Sequence, residues 1–201
     1  MNYTLIAKNY LIATSLFLLL GTVAARPALA QRMQTSKYEK GMMDKGQKVG
    51  VWEYYGYTAS GEQLVVQRYD YDKHKLIYYR PGGYATYLTE VKPGEWKYVQ
   101  PDQSPMFIGG EGVLASYMAR VVYPQAAERS GLQGRVLVTF QIDTLGRPSN
   151  YRLTQRIGKE CDDEALRVAR ELPQTWVPAR IGSRAVVVEY ELPFTFRLAK
   201  R

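Results

Sequence analysis

The residue types that most often carry chemistry are scarce in this sequence. Its 201 residues include a single histidine, His74, and a single cysteine, Cys161. Any imidazole-dependent catalysis would have to use His74, which lies in a polar run at 72–75 and is expected in a solvent-exposed turn. One histidine and one cysteine also exclude a histidine-rich zinc site and a disulfide within the chain.

Four acidic residues lie beside the cysteine: Glu160, Asp162, Asp163 and Glu164. Their spacing differs from that of an EF-hand calcium loop, and we interpret them as the start of a helix, whose dipole stabilises acids there. Cys161 is expected to be a small packed residue, because these carboxylates disfavour its thiolate. The sequence has no nucleophile elbow, zinc-protease motif, P-loop or dinucleotide-binding glycine motif. We therefore predict that the protein is not an enzyme and holds no metal or cofactor.

The first 30 residues have the pattern of an export leader. Lys8 precedes an apolar run over 10–25, and Ala28-Leu29-Ala30 before Gln31 is an A-x-A cleavage pattern. The run of about 16 residues is shorter than the roughly 20 needed to span a bilayer. A cleaved signal peptide is therefore the first interpretation, and a short uncleaved anchor is the second. Both place the rest of the chain outside the cytoplasm.

The charge of the chain is basic but moderate. Lys and Arg number 27 against 19 Asp and Glu, which gives a net charge of +8. Such a charge permits an anionic partner without requiring one. We expect no nucleic-acid partner, because the leader exports the protein and because acids nearly balance bases over 31–104.

Residues 31–104 form a tyrosine-rich module. Eleven of the 17 tyrosines lie between Tyr38 and Tyr98, and the phrase K-x-G-x-W-x-Y occurs at 48–54 and again at 92–98. Alternating aromatic and β-branched residues punctuated by glycines predict a chain of short β-hairpins. The phrase resembles MORN-type hairpin repeats. We expect the aromatic residues to pack across strands; a groove for a glycan or a peptide is the alternative.

Residues 105–201 form a second module with clear helix and strand periodicities. The expected elements are helices over 113–122 and 125–129, strands over 135–143 and 148–156, a helix that begins at 162–164, and a last strand over 184–198. Trp176, between two prolines, is expected to be buried. Pro193 cannot donate a ladder hydrogen bond, which predicts that the last strand lies at a sheet edge. The order predicts an α+β fold: a small antiparallel three-stranded sheet with helices on one face.

Several short motifs of the second module follow one another in a dense order. They are Pro105-x-Phe107-x-Gly109-Gly110, Tyr123-Pro124, Gly131-x-x-Gly134, Asp143-x-x-Gly146, Trp176-x-Pro178 and Leu192-Pro193-Phe194-x-Phe196. In these motifs, residues 105–201 resemble the C-terminal domain of TonB energy transducers. The resemblance implies the fold expected above and a location in the periplasm.

The resemblance also implies partners. TonB proteins bind the TonB box of outer-membrane transporters, which adds as a strand to their last, exposed strand. They pass on work derived from the inner-membrane proton gradient through ExbB and ExbD. The partner-binding residues implied here are Arg120, Val121, Val122, Tyr123, Pro124, Arg184, Ala185, Val186, Val187, Val188, Glu189 and Tyr190.

The chain departs from a full transducer in two respects. Its apolar run has a cleavage pattern, and its 10 prolines are scattered rather than gathered in a spacer that crosses the periplasm. Two functions therefore stay open. One is a TonB-like transducer that supports energy-coupled transport, with ExbB and ExbD as partners if the leader is an uncleaved anchor. The other is a periplasmic protein-binding scaffold without energy transduction, and a homodimer is open in both.

Overall fold

The computed structural model of the protein describes residues 31–82 and 85–198. The predicted leader, residues 1–30, lies outside these described residues. Within them, no helix is both long enough and apolar enough to cross a membrane.

Strands dominate the described part of the chain, and three helices accompany them. The first seven strands are β1 (Arg32–Thr35), β2 (Glu39–Asp44), β3 (Gln47–Tyr57), β4 (Gln63–Asp70), β5 (Lys75–Tyr79), β6 (Tyr87–Lys92) and β7 (Glu95–Val99). Next come β8 (Met106–Phe107), α1 (Gly110–Met118), α2 (Gln125–Arg129), β9 (Gly134–Ile142), β10 (Pro148–Gln155) and α3 (Lys159–Arg170). The last strands are β11 (Trp176–Val177), β12 (Ala179–Ile181), β13 (Arg184–Val186) and β14 (Val188–Phe196).

The first five strands form an antiparallel meander in the order β1-β2-β3-β4-β5. Trp52 and Tyr54 of β3 are fully buried on one face, and Tyr69 of β4 lies directly opposite Trp52. Lys48 Nζ lies 4.1 Å from the centroid of the Trp52 ring and 2.5 Å from a carboxylate oxygen of Glu39. A cation held between an aromatic face and a carboxylate is attracted by both. The first copy of the K-x-G-x-W-x-Y phrase is therefore a packing unit of this sheet.

The second copy of the phrase lies in a different environment. Its Trp96 and Tyr98 belong to β7, where Trp96 is half-buried and Tyr98 is 74% exposed. Gly94 has φ of 77° in the turn between β6 and β7, a backbone conformation that favours glycine. In both copies the tryptophan and the tyrosine lie in one strand, but the second copy spans a turn and leaves its tyrosine in solvent.

The second large sheet has five antiparallel strands in the order β10-β9-β14-β6-β7. The three expected strands are present as β9, β10 and β14. The prediction of a three-stranded sheet was nevertheless wrong, because the β6–β7 hairpin of the tyrosine-rich segment extends the sheet beyond β14. Helix α3 packs against the sheet, and its buried Ala165, Val168 and Ala169 join Val138 and Phe140 of β9 in one core.

The last strand does not lie at an edge along its whole length, contrary to the prediction. The expected strand over 184–198 is divided in two: β13 pairs with β12, and β14 lies between β9 and β6. The carbonyl of Val187 accepts the Glu90 N–H of β6 at 2.9 Å. Alternate residues of a strand direct their backbone groups to the same side. Pro193 is an even number of residues from Val187, so its nitrogen, like the Val187 carbonyl, faces away from β9. Pro193 therefore costs the β9–β14 ladder no hydrogen bond.

A buried glutamine joins the two predicted modules. Gln67 of β4 is 3% exposed; its Nε2 donates to the Phe107 carbonyl at 3.2 Å, and its Oε1 accepts the Gly109 N–H at 2.7 Å. Gly112 of α1 lies so close to Tyr38 that a Cβ there would be 2.4 Å from the tyrosine ring. The predicted boundary at residue 104 coincides with a change in composition, whereas the two large sheets divide between β5 and β6.

We predict that Gln67→Met destabilises the protein by about 2–4 kcal/mol. Methionine fills a similar volume but leaves the Phe107 carbonyl and the Gly109 N–H buried without partners, and each such group costs about 1–3 kcal/mol. Urea unfolding followed by circular dichroism measures the change. Gln63→Met, at an exposed position of the same strand, is the matched control and should change stability little. Equal stabilities of the two variants would show that the Gln67 contacts do not join the modules.

Trp176 is buried, as predicted, with 4% of its surface exposed. Its ring centroid lies 5.3 Å from that of Phe107, 5.5 Å from Phe140 and 4.8 Å from Tyr190. Trp176→Ala should therefore lower the free energy of unfolding by about 3–5 kcal/mol, while Trp176→Phe should cost less because a ring remains. Chemical denaturation of both variants tests this. A wild-type midpoint for Trp176→Ala would contradict a place in the core.

Candidate peptide-binding edge

The first predicted binding segment, residues 120–124, follows α1 as irregular backbone. The Arg120 guanidinium lies 4.3 Å from the centroid of the Tyr117 ring. The Tyr123 hydroxyl donates to the Leu132 carbonyl, and the Tyr123 ring centroid lies 5.6 Å from that of Phe196, the last residue of β14. This segment therefore borders the carboxyl end of β14.

The second predicted segment, residues 184–190, is largely paired within the protein. Its first three residues form β13, which pairs with β12, and Val188 lies opposite both Ile142 of β9 and Thr89 of β6. The Arg184 guanidinium donates to the Val91 carbonyl of β6 at 2.8 Å. Residues 184–188 thus already pair with strands of the same chain, β13 with β12 and Val188 with both β9 and β6.

The structure does not bring the two predicted segments together. One borders Phe196 and the other contains Val188, at opposite ends of β14. Eight steps along a strand correspond to about 26 Å. A peptide that reaches both segments would have to lie along β14 itself.

Residues 191–195 of β14 form an unpaired edge, and they were not among the predicted partner-binding residues. Among the described residues, β6 pairs with β14 only at Val188, opposite Thr89. By the alternation described above, the N–H and C=O groups of Glu191 and Thr195 and the C=O of Pro193 face away from β9. Glu191 and Thr195 are exposed. We call residues 191–195 the open edge of β14. In the sequence, Pro193 was the residue that indicated an unpaired edge.

A cleft of about 290 Å³ separates β6 from the start of the open edge. The residues that line it include Tyr87, Leu88 and Tyr98 of the hairpin and Glu189, Tyr190 and Glu191 of β14. The rings of Tyr87 and Tyr190 stack with their centroids 6.3 Å apart. Burial raises the pKa of Tyr190, with a further contribution from the Glu111 carboxylate, so its hydroxyl is protonated at neutral pH. The hairpin thus contacts β14 near Val188 and diverges from it beyond.

A larger cavity, of about 630 Å³, lies between the amino-terminal sheet and α1. Tyr55 and Tyr79 line it from the tyrosine-rich segment, Tyr87 and Tyr190 from the second sheet, and the Gly110 backbone from α1. Its size is within the range of small-ligand sites. This cavity is therefore where the alternative interpretation, an aromatic groove for a glycan or a peptide, would apply. The buried aromatics of β3 and β4, by contrast, are packed in the core.

The acidic cluster at the start of α3 is held in structural contacts. The buried Asp162 carboxylate accepts the Ile157 N–H and the Arg156 Nε, both at 3.0 Å, at the start of α3. Burial raises the pKa of the Cys161 thiol, with smaller contributions from the adjacent acids. His74 is exposed in the turn between β4 and β5. Within the described ranges, no three metal-ligating side chains come together.

Residues 119–198 match the family model described as Gram-negative bacterial TonB protein C-terminal. Over these residues the chain is similar to the TonB C-terminal family. The match confirms the resemblance carried by the motifs. The matched residues include α2, α3 and β9 to β14, and with them the open edge and both predicted binding segments.

Two solved structures are similar to part of this chain. The NMR solution structure of the Helicobacter pylori TonB-CTD is 19% identical over 44% of this chain and 79% of that chain, with a TM-score of 0.35. The solution NMR structure of the Pseudomonas aeruginosa TonB CTD is 28% identical over 42% of this chain and 84% of that chain, with a TM-score of 0.30. A search of curated proteins found no match.

Glu164 of α3 fixes the first predicted binding segment. Its Oε1 accepts the Val122 N–H at 2.7 Å, and Arg167 donates to both of its carboxylate oxygens. The Arg167 guanidinium and the Val122 N–H hold the pKa of Glu164 below its usual value, against the opposite effect of burial. The ionised carboxylate therefore stabilises the fold at neutral pH.

We predict that Glu164→Gln lowers the free energy of unfolding by about 1–2 kcal/mol near neutral pH, where a charged acceptor is lost. A depressed carboxyl pKa stabilises the native state above the unfolded-state pKa of about 4.3, and this stabilisation is lost as the pH falls through the native pKa. The difference from the wild type should therefore shrink toward about pH 3. Thermal unfolding at several pH values measures it. Glu160→Gln, at an exposed position of the same helix, should change less; an equal, pH-independent loss in both variants would contradict the role of Glu164.

Proposed function

We propose that the protein is a TonB-like protein of the cell envelope that binds the TonB box of outer-membrane transporters and supports energy-coupled transport. The observation that carries the proposal is the open edge of β14, which lies inside the region matched to the TonB C-terminal family. An extended peptide adds to such an edge through main-chain hydrogen bonds. Affinity then comes from the backbone, and pockets beside the edge supply specificity.

The neighbours of the open edge determine where an added strand would lie. At one end, the hairpin occupies β14 at Val188. At the other end, the Tyr123 ring packs against Phe196. Between them, Glu191 and Thr195 each offer a donor and an acceptor, and Pro193 offers an acceptor. Tyr123 and Tyr190 of the implied binding residues would then flank the peptide, while residues 184–188 keep their internal pairing.

A scaffold without energy transduction is the second candidate function. The observation that favours it is the Gln67 junction, which binds the tyrosine-rich segment to the backbone before α1. That segment is folded onto the C-terminal domain and does not form an extended spacer. An uncleaved leader would still allow contact with ExbB and ExbD. Sequencing the amino terminus of the exported protein distinguishes the two candidate functions. A start at Gln31 favours the scaffold, and a membrane-bound form that starts at Met1 favours the transducer.

We predict that Thr195→Pro weakens the binding of a labelled TonB-box peptide at least about fivefold, because one main-chain hydrogen bond is worth about 1 kcal/mol. The substitution removes an N–H that faces away from β9, so the β9–β14 ladder should persist as it does at Pro193. Thr195→Val keeps the backbone donor and should bind within about twofold of the wild type. Fluorescence anisotropy titration measures the affinities.

Circular dichroism and thermal unfolding establish that both Thr195 variants are folded. Glu191→Pro, at the other outward-facing position of the open edge, repeats the test in case Thr195→Pro unfolds. Wild-type affinity in a folded proline variant would place the binding site elsewhere in the protein and overturn strand addition at this edge.

A further inference from the structure

We propose that the open edge of β14 selects its partner strand by the order of charges along it. The selected segment carries a lysine or arginine at the cleft end and an aspartate or glutamate at the other end. This inference rests on the proposed strand addition and names its specificity. It starts from the outward face of β14, where Glu189 and Glu191 lie at one end and Arg197 follows the other end.

The cleft end of the open edge has an uncompensated negative charge. Glu189 Oε2 is 2.5 Å from an Arg152 guanidinium nitrogen, so its charge is balanced by a neighbour. Glu191 is exposed, and none of the ion pairs among the described residues includes it. Two carboxylates thus face one arginine, which leaves a net attraction for a cation beside Glu191.

The hairpin supplies an aromatic ring to the same cleft. Tyr98 of β7 is 74% exposed and lines the cleft together with Glu191. A cationic side chain that enters between them would be attracted by the carboxylate and by the ring face. The protein already contains such an arrangement, because Lys48 lies between Glu39 and the Trp52 ring. The cleft therefore fits the side chain of a lysine or an arginine.

The other end of the open edge is basic. Thr195 lies opposite Arg135 of β9, and Arg197 follows two residues later, just beyond the end of β14. Both arginines are exposed, and neither forms an ion pair within the described part of the chain. An acidic side chain on the added strand, opposite Thr195, would lie within diagonal reach of Arg197.

The spacing of the two charges follows from strand geometry. Every strand pair of this sheet is antiparallel, and we take the added strand to follow the same orientation. The residue opposite Thr195 then comes first, and the residue opposite Glu191 comes four positions later on the same face. The preferred segment is therefore acidic-x-x-x-basic in an extended conformation. The reverse order would place like charges side by side at both ends, which opposes pairing.

The test uses two labelled peptides of identical composition that differ in the order of one glutamate and one lysine, four residues apart among uncharged β-branched residues. Fluorescence anisotropy with the intact protein should show about a fivefold to tenfold preference for the glutamate-first peptide at low salt, and a smaller preference at about 0.5 M salt. The double variant Glu191→Lys/Arg197→Glu should reverse the preference. Glu62→Lys, exposed in the turn between β3 and β4, should leave it unchanged.

The outcomes separate this inference from the proposed function. Equal affinities for the two peptides, with both weakened by Thr195→Pro, would overturn the charge order while strand addition stands. No binding of either peptide, or of a TonB-box peptide, would overturn both. A third outcome concerns self-association, measured by sedimentation. If the protein self-associates, and if Thr195→Pro abolishes this association while the double charge reversal leaves it intact, a second copy of the chain occupies the edge. That result would overturn the inference.

Discussion

The unequal pairing of the two sides of β14 is the constraint on which the rest of this structure depends. On one side, β9 pairs with it from Val188 to Phe196. On the other side, β6 pairs with it at Val188 alone among the described residues. Unpaired edges invite association with other strands, and proteins restrict them with proline, with charges or with covering elements. All three devices occur here: Pro193 removes a donor, Glu191 adds a charge, and the β6–β7 hairpin covers one end.

The tyrosine-rich segment takes part in this arrangement through two separate contacts. Its first five strands have their own core around Trp52 and dock on the backbone before α1 through Gln67. Its last two strands join the sheet of the C-terminal domain. A buried amide that satisfies a carbonyl and an N–H tolerates little change in geometry, because either group would cost stability if left without a partner. The segment therefore positions the hairpin beside β14 and limits the edge that remains for a partner.

The repeated K-x-G-x-W-x-Y phrase shows how one local pattern acquires two roles. In β3, the lysine folds back over the tryptophan ring and pairs with Glu39, and the aromatics are buried. In β7, the tyrosine of the phrase points toward the cleft and solvent. Strand formation is a local property, so the tryptophan and the tyrosine lie in a strand in both copies. Burial depends on what covers the strand, and only the fold decides that.

The sequence by itself determined the elements whose signals are local. The acids in the first turns of α3 and the burial of Trp176 follow from spacing and residue type, and the ordered motifs were sufficient to indicate a resemblance to the TonB C-terminal family. The tertiary structure alone decided that Thr89 faces Val188 across about a hundred residues of chain, that the two expected binding segments lie at opposite ends of β14, and that the open edge begins at Glu191. The reason is physical: strands pair through main-chain groups that every residue other than proline carries, so the choice of partner strand leaves little trace in composition. Pro193 is the exception. Its missing N–H indicated a position that faces away from a paired strand, but it did not indicate which part of the strand was unpaired.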